Sequence, residues 1–180
     1  RMSKSVTGLM DRFESEVFPV IEQKLGKPKY RLIMGSSMGA LNTLTIALEM
    51  DQHFNRVIAL CPPLFTLSPF DKWHKVMDYA YRTGATPKSV FTIIALGRKW
   101  FANTDEWLRF NPIEKVKNVA FKKRPQFYIS AGTRDEYGLF EGTEMFVESL
   151  RKTPAMTYWR PNSGQHCAVD IYSLAKFLEL

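Results

Sequence analysis

No apolar run in these 180 residues approaches the roughly 20 that a membrane-spanning helix needs, which excludes a helical span. Cysteine is nearly absent. Cys61 and Cys167 are too few for a disulfide framework and show no metal-ligand spacing, so two free thiols packed as small hydrophobes are expected. Nothing in the pattern calls for a metal or a cofactor. Repeats and low-complexity segments are missing, and no shift in composition marks a second domain, so residues 1–180 read as one domain. The net charge is +7, yet the cationic side chains are spread along the chain and Lys122-Lys123-Arg124 is their single run. No nucleic-acid motif accompanies that run, so no nucleic-acid partner is implied. It reads as a solvated strand entrance, and the excess charge as a solubility feature that also favours anionic substrates.

What is present is an ordinary globular composition, 45% hydrophobic and 13% aromatic, and one sharp local signal. Gly35-Ser36-Ser37-Met38-Gly39 follows the strand-like run Tyr30–Met34 and precedes the helix-like run Ala40–Met50. Strand, Gly-x-Ser-x-Gly and helix in that order form a nucleophile elbow. The turn forces its central residue into a strained backbone, and small residues two positions either side avoid clashes with it. Ser37 is therefore the candidate nucleophile, and Ser36 should point back into the sheet or cap the turn. The Met38 N–H, at the start of the following helix, is the candidate oxyanion donor.

A serine of ordinary acidity needs a base, and the base needs an acid to orient it. In elbow enzymes of this type the chain order is Ser, Asp or Glu, His. Of three histidines only His166 lies late, in the loop Pro161–His166 beyond the strand-like Met156–Arg160. His53 reads as a solvated residue at the polar exit of the elbow helix, and His74 as packing or surface. The acid should follow the strand-like Gln126–Ala131. Asp135 in the loop Gly132–Glu136 is the first choice, ahead of Glu136 and then Asp170. A surface ion pair between Asp135 and Arg134 is the alternative, and it would be worth little.

Ser-Met-Gly-Ala at the elbow, Gly-Thr-Arg-Asp after a late strand and Ser-Gly-Gln-His before the last helix resemble the esterase D-like branch of the α/β-hydrolases. That branch includes S-formylglutathione hydrolases and the enterochelin and feruloyl esterases. The similarity runs from about Phe13 to Leu180. It implies an α/β-hydrolase three-layer sandwich with a mostly parallel sheet. It also implies ester hydrolysis through Ser37, His166 and Asp135 with an acyl-enzyme intermediate, and a small-molecule ester as substrate. Ala40 and Cys61 depart from the branch, where glycine and serine are common.

Four strands are legible, at 30–34, 56–60, 126–131 and 156–160, and the resemblance makes them the second half of an eight-stranded sheet. Apolar residues at helical spacing (Val6, Leu9, Met10, Phe13, Val17, Ile21, Leu25) predict a helix over 5–25. The elbow strand should then be an open edge, an aggregation hazard, and the chain the C-terminal part of a longer one. A homo-oligomer or association with a preceding segment follows as an expectation, as does weak activity of these residues alone. Residues 65–110 read as a cap-like insertion, aromatic-rich, with helices near 70–82 and 88–101. Most of its rings should pack the insertion onto the sheet and a few should line an apolar pocket. An acyltransferase, a peptidase or a non-catalytic binding module on the same fold remain alternatives to an esterase.

Overall fold

A computed structural model describes residues 10–179. Its four strands, β1 (Leu32–Ser36), β2 (Arg56–Leu60), β3 (Gln126–Gly132) and β4 (Met156–Asn162), lie parallel and in chain order. Parallel neighbours require crossovers, and each crossover is helical. The helix α2 (Met38–Glu49) joins β1 to β2, and α7 (Leu139–Leu150) joins β3 to β4. Between β2 and β3 run α3 (Trp73–Thr83), α4 (Pro87–Trp100), α5 (Thr104–Phe110) and α6 (Pro112–Lys115). The chain enters through α1 (Phe18–Leu25) and leaves through α8 (Ile171–Glu179).

The interior strands are apolar on both faces because both faces are covered. Val57, Ala59, Phe127 and Ile129 meet Ala40, Leu44 and Ala47 of α2 and Phe146, Val147 and Leu150 of α7 in the main core. On the opposite face Ile58, Leu60 and Tyr128 form a smaller cluster with Phe177 of α8. Helix, sheet, helix is the three-layer arrangement expected, and the four observed strands are the four read from sequence.

The differences are local. The elbow strand begins at Leu32 rather than Tyr30, because its ladder to β2 pairs Leu32 with Arg56 and Ser36 with Leu60. Among the described residues β1 has β2 on one side only, and Leu32 and Met34 are 43% and 48% exposed. The predicted N-terminal helix is continuous over the described residues up to Leu25, but it is not α-helical throughout. Phe13–Val17 is a π-helical stretch, with the Phe18 N–H bonded back to the Phe13 carbonyl. Pro19 in the first turn of α1 accounts for the irregularity, since it has no N–H to give to the preceding turn. Met10, Phe13 and Phe18 pack on the main core, whereas Ile21 and Leu25 are exposed. Val6 and Leu9 lie outside the described residues.

The 65–110 region forms helices close to where periodicity puts them. Gly84 ends α3 at φ 71°, a left-handed position suited to glycine. The Thr86 side chain caps α4, accepting from the Ser89 N–H, and Pro87 fills the first helical position. These two helices close a separate core of Val76, Tyr79, Ala80, Val90 and Ile94. Phe65, Phe70, Tyr79, Phe101, Trp107 and Phe110 are buried or half-buried, and Trp73, Tyr81, Phe91 and Trp100 are the exposed exceptions to the expectation that most rings pack inward. Among the described residues no helix is long and apolar enough to cross a membrane.

Candidate active site

Ser37 is held at φ 52°, ψ −123°, a conformation that non-glycine residues avoid. Its N–H donates to the Leu60 carbonyl at 2.9 Å, and its own carbonyl accepts from Ala40 and Leu41 at the start of α2. The close approach of α2 to β1 explains Gly35, where a Cβ would collide with the Gly39 backbone and with Thr43 Oγ1. The same reasoning fails at Gly39, where a Cβ would meet nothing within 4 Å among the described residues.

The structure brings the three candidate residues together. Ser37 Oγ lies 3.0 Å from His166 Nε2, and His166 Nδ1 lies 2.7 Å from Asp135 Oδ2. The Asp135 carboxylate is fully buried, and its other oxygen accepts the Tyr137 N–H at 2.9 Å. Its negative charge is felt nearby. Burial first, and then the charge of Asp135, push the Tyr79 hydroxyl well above the usual phenol range, partly offset by Arg82. Tyr79 donates to the Gly138 carbonyl at 2.8 Å, which ties the acid loop to α3.

The alternatives read from sequence find other partners. Arg134 does not pair with Asp135; its Nε donates to the Ser163 carbonyl at 2.6 Å and its N–H to the Gly164 carbonyl. Asp170 caps α8, accepting from the Ser173 N–H. Glu136 is exposed, and its carboxylate accepts the His166 backbone N–H at 3.0 Å. That bond, with one from its own backbone N–H, holds the Glu136 carboxyl below its usual range. The contribution of the charged form is thus present above the ordinary carboxylate range and is lost only as pH falls through the lowered value. Glu136→Gln keeps an acceptor for the His166 N–H, so it should cost less than about ten-fold in kcat, far less than a change at Asp135. Steady-state kinetics of the two variants side by side check this.

His53 is not the solvated residue expected. It stacks on Phe18 at 5.2 Å and its Nε2 lies 2.9 Å from Glu14, pinning the entry helix to the turn after α2. His74 is exposed. Ser36 Oγ faces two sulfurs, Cys61 Sγ at 3.6 Å and Cys167 Sγ at 3.5 Å. Those cysteines correct the expectation of free thiols: they form a disulfide, with Cα atoms 5.0 Å apart. Sequence separation hid the pair, because the sheet brings together residues 106 positions apart. The two sulfurs and His166 offer metal-ligating atoms within 4.8 Å of one another, but the bridge occupies both sulfurs.

The first position of α2 leaves the Met38 N–H without a helical acceptor. The residues directly after Leu60 commit their N–H groups elsewhere: Cys61 donates to the Ser130 carbonyl, residues 62 and 63 are prolines, and Leu64 donates to the Pro62 carbonyl. A cavity of about 320 Å³ opens on Ser37 and His166, walled by the chain after Leu60 and by α4–α6. Phe65, Trp100, Phe101 and Trp107 line it, and among the described residues no Asp, Glu, Lys or Arg side chain does. Its buried Asn111 is satisfied internally, donating to the Phe65 carbonyl and accepting from Ile113. Tyr137, which no sequence pattern singled out, sets its ring edge-on to His166 with centroids 5.0 Å apart.

A parallel sheet with this elbow defines an α/β-hydrolase fold, and solved structures of that fold resemble it. One is an S-formylglutathione hydrolase from Agrobacterium tumefaciens, 22% identical with a TM-score of 0.57, matching 94% of this chain and 54% of that one. Another is a Pyrococcus furiosus esterase, 16% identical with a TM-score of 0.58, matching 90% and 58%. A third is an acylaminoacyl peptidase from Pyrococcus horikoshii, 17% identical with a TM-score of 0.58, matching 87% and 23%. The chain thus spans less than two thirds of the length of these structures. Residues 7–168 match the family model described as "Putative esterase", and the chain belongs to that esterase family. A search of curated protein sequences finds no match.

Proposed function

We propose that the chain carries the catalytic triad of a serine carboxylesterase that acts through an acyl-enzyme. The observation that supports this most is the continuous relay from a strained elbow serine through His166 to a buried Asp135, at 3.0 and 2.7 Å. Ser37 Oγ attacks the ester carbonyl while His166 Nε2 takes its proton; the carbonyl oxygen becomes an oxyanion facing the Met38 N–H. His166 then protonates the leaving alcohol, and Ser37 is left acylated. Water then attacks the acyl carbonyl and gives a proton to His166, which returns it to Ser37 Oγ as the bond to the acyl carbon breaks and the acid leaves. Asp135 accepts from His166 Nδ1–H throughout, which fixes the tautomer and stabilises the imidazolium without taking the proton itself. Labelling by a fluorophosphonate probe, mapped to Ser37 by peptide mass, tests the reading; an unlabelled chain rejects it.

The apolar cavity bears on the substrate. A pocket with no Asp, Glu, Lys or Arg lining among the described residues favours an uncharged hydrocarbon group, whatever the net charge of the surface. Activity on p-nitrophenyl esters should therefore rise from acetate to butyrate and hexanoate. Trp107→Ala, which enlarges the cavity wall, should shift the optimum toward longer acyl groups by altering KM more than kcat. A flat series in both proteins would remove the cavity from substrate recognition.

A further inference from the structure

We propose that the Cys61–Cys167 disulfide is a positioning device for His166, and that its reduction slows ester cleavage while the chain stays folded. The proposal rests on the triad reading above. Both ends of the Ser37–His166 contact are referenced to the same two residues. The Ser37 N–H is bound to the carbonyl of Leu60. The next residue, Cys61, is bonded covalently to Cys167, the residue that follows His166. Cys61 is in turn fixed to β3 through its N–H on Ser130, at 2.7 Å, and is followed by two prolines. Both half-cystines stand at positive φ, 47° and 59°, so neither is part of a regular helix or strand.

Within the histidine loop Asn162 donates to the Ala168 carbonyl and accepts from the Gly164 N–H, and further fasteners come from the exit of β3. They are Glu136 on the His166 N–H, Arg134 on Ser163 and Gly164, and the Thr133 N–H on Asn162. They hold the base to its acid. The disulfide instead holds the base to the strand end that anchors the nucleophile.

Reduction need not disturb the fold. Both cysteines belong to the cluster with Leu60, Tyr128 and Phe177, where a thiol packs as a small hydrophobe. Cys61 is buried, whereas Cys167 is half-buried and is the more exposed of the two residues. A dithiol reductant attacks Cys167 Sγ as its thiolate; the S–S bond breaks and Cys61 leaves as a thiolate that takes a proton. The reductant's second thiolate then displaces Cys167, which is protonated in turn. Two electrons pass to the protein, and the reductant departs as a cyclic disulfide. His166 then keeps its partner Asp135 but loses its covalent register to Ser37. A displacement near 1 Å at a reacting group costs on the order of 10²-fold.

The test follows the full chain through titration with dithiothreitol, reading free thiols, kcat, KM, the rate of fluorophosphonate labelling at Ser37 and the melting curve. Reduction should expose two thiols and slow labelling and kcat together by roughly 10–100-fold. KM should change little, the melt should stay cooperative, and reoxidation should restore the rate. The Cys61→Ser/Cys167→Ser double variant should reproduce the reduced rate and ignore the reductant. Equal labelling before and after reduction overturns the proposal and leaves the triad standing. Absence of labelling in the oxidised chain overturns the triad reading itself. Free thiols before any reductant, or a reduced chain that loses its cooperative melt, also overturn the proposal. The latter would make the bridge a staple of the fold. Should the serine pair misfold, Cys61→Ala/Cys167→Val, which keeps the cluster apolar, gives the same comparison.

Discussion

Ser37→Ala should lower kcat for a p-nitrophenyl ester by on the order of 10⁴-fold or more, with an unchanged melt. Alanine removes one oxygen from a half-buried side chain, and no other hydrogen bond of the turn depends on it: the backbone N–H stays on Leu60 and the carbonyl stays on Ala40 and Leu41. The strained φ of 52° is equally available to alanine and serine, so the elbow should survive. Ser36→Ala is the control. Its hydroxyl faces the disulfide rather than the cavity, and its loss should change kcat by less than about threefold. Comparable activity in Ser37→Ala, with loss in Ser36→Ala, would move the nucleophile by one residue.

Asp135→Asn should cost about 10³–10⁴-fold in kcat with little change in KM. The carboxylate is buried and accepts from both His166 Nδ1 and the Tyr137 N–H, so each oxygen has a donor. An asparagine satisfies one of those donors with its oxygen and must turn its NH₂ toward the other. If that other is His166, the ring is driven to the tautomer whose Nε2 bears the proton, and it then cannot accept from Ser37. The fall should therefore be in kcat, and raising pH should not recover it. A variant that kept most of its kcat would show that the buried acid does not orient the base.

The elbow and its partners were readable because their chemistry is written in short strings at strand ends. Gly35-Ser36-Ser37, Arg134-Asp135 and Gln165-His166 each sit just beyond an apolar run, and a parallel sheet delivers all such ends to one edge. The strands themselves were legible for the same reason, with limits displaced by one or two residues where ladder register, not apolar content, sets the end. Contacts between distant segments were not legible. Nothing near Cys61 announces Cys167, and nothing near Glu14 announces His53; these pairs exist only once α2 and the sheet fix the distances. The helical period over 5–25 was real, but the cost of a proline at position 19 was missed, and with it the π-helical stretch. The aromatic residues of 65–110 were separable into cavity and surface only by the direction each helix face takes. That direction left Trp107 lining the cavity and Tyr81 in water.

The edge position of β1 bears on how steadily Ser37 is held. Among the described residues β1 has one neighbour and half of its amides lie outside that ladder, whereas β3 lies between two strands. For these 180 residues on their own, native-state amide exchange should follow this gradient, slowest in β3 and fast at the outward amides of β1. Yet the elbow should not open with its strand, because α2 is anchored independently through Ala40, Leu44 and Ala47, each at most 2% exposed. The amides of Leu44 to Leu48 should accordingly exchange orders of magnitude more slowly than the outer amides of β1. In that pattern the helix, rather than the sheet, keeps the serine's place through the strand's local fluctuations.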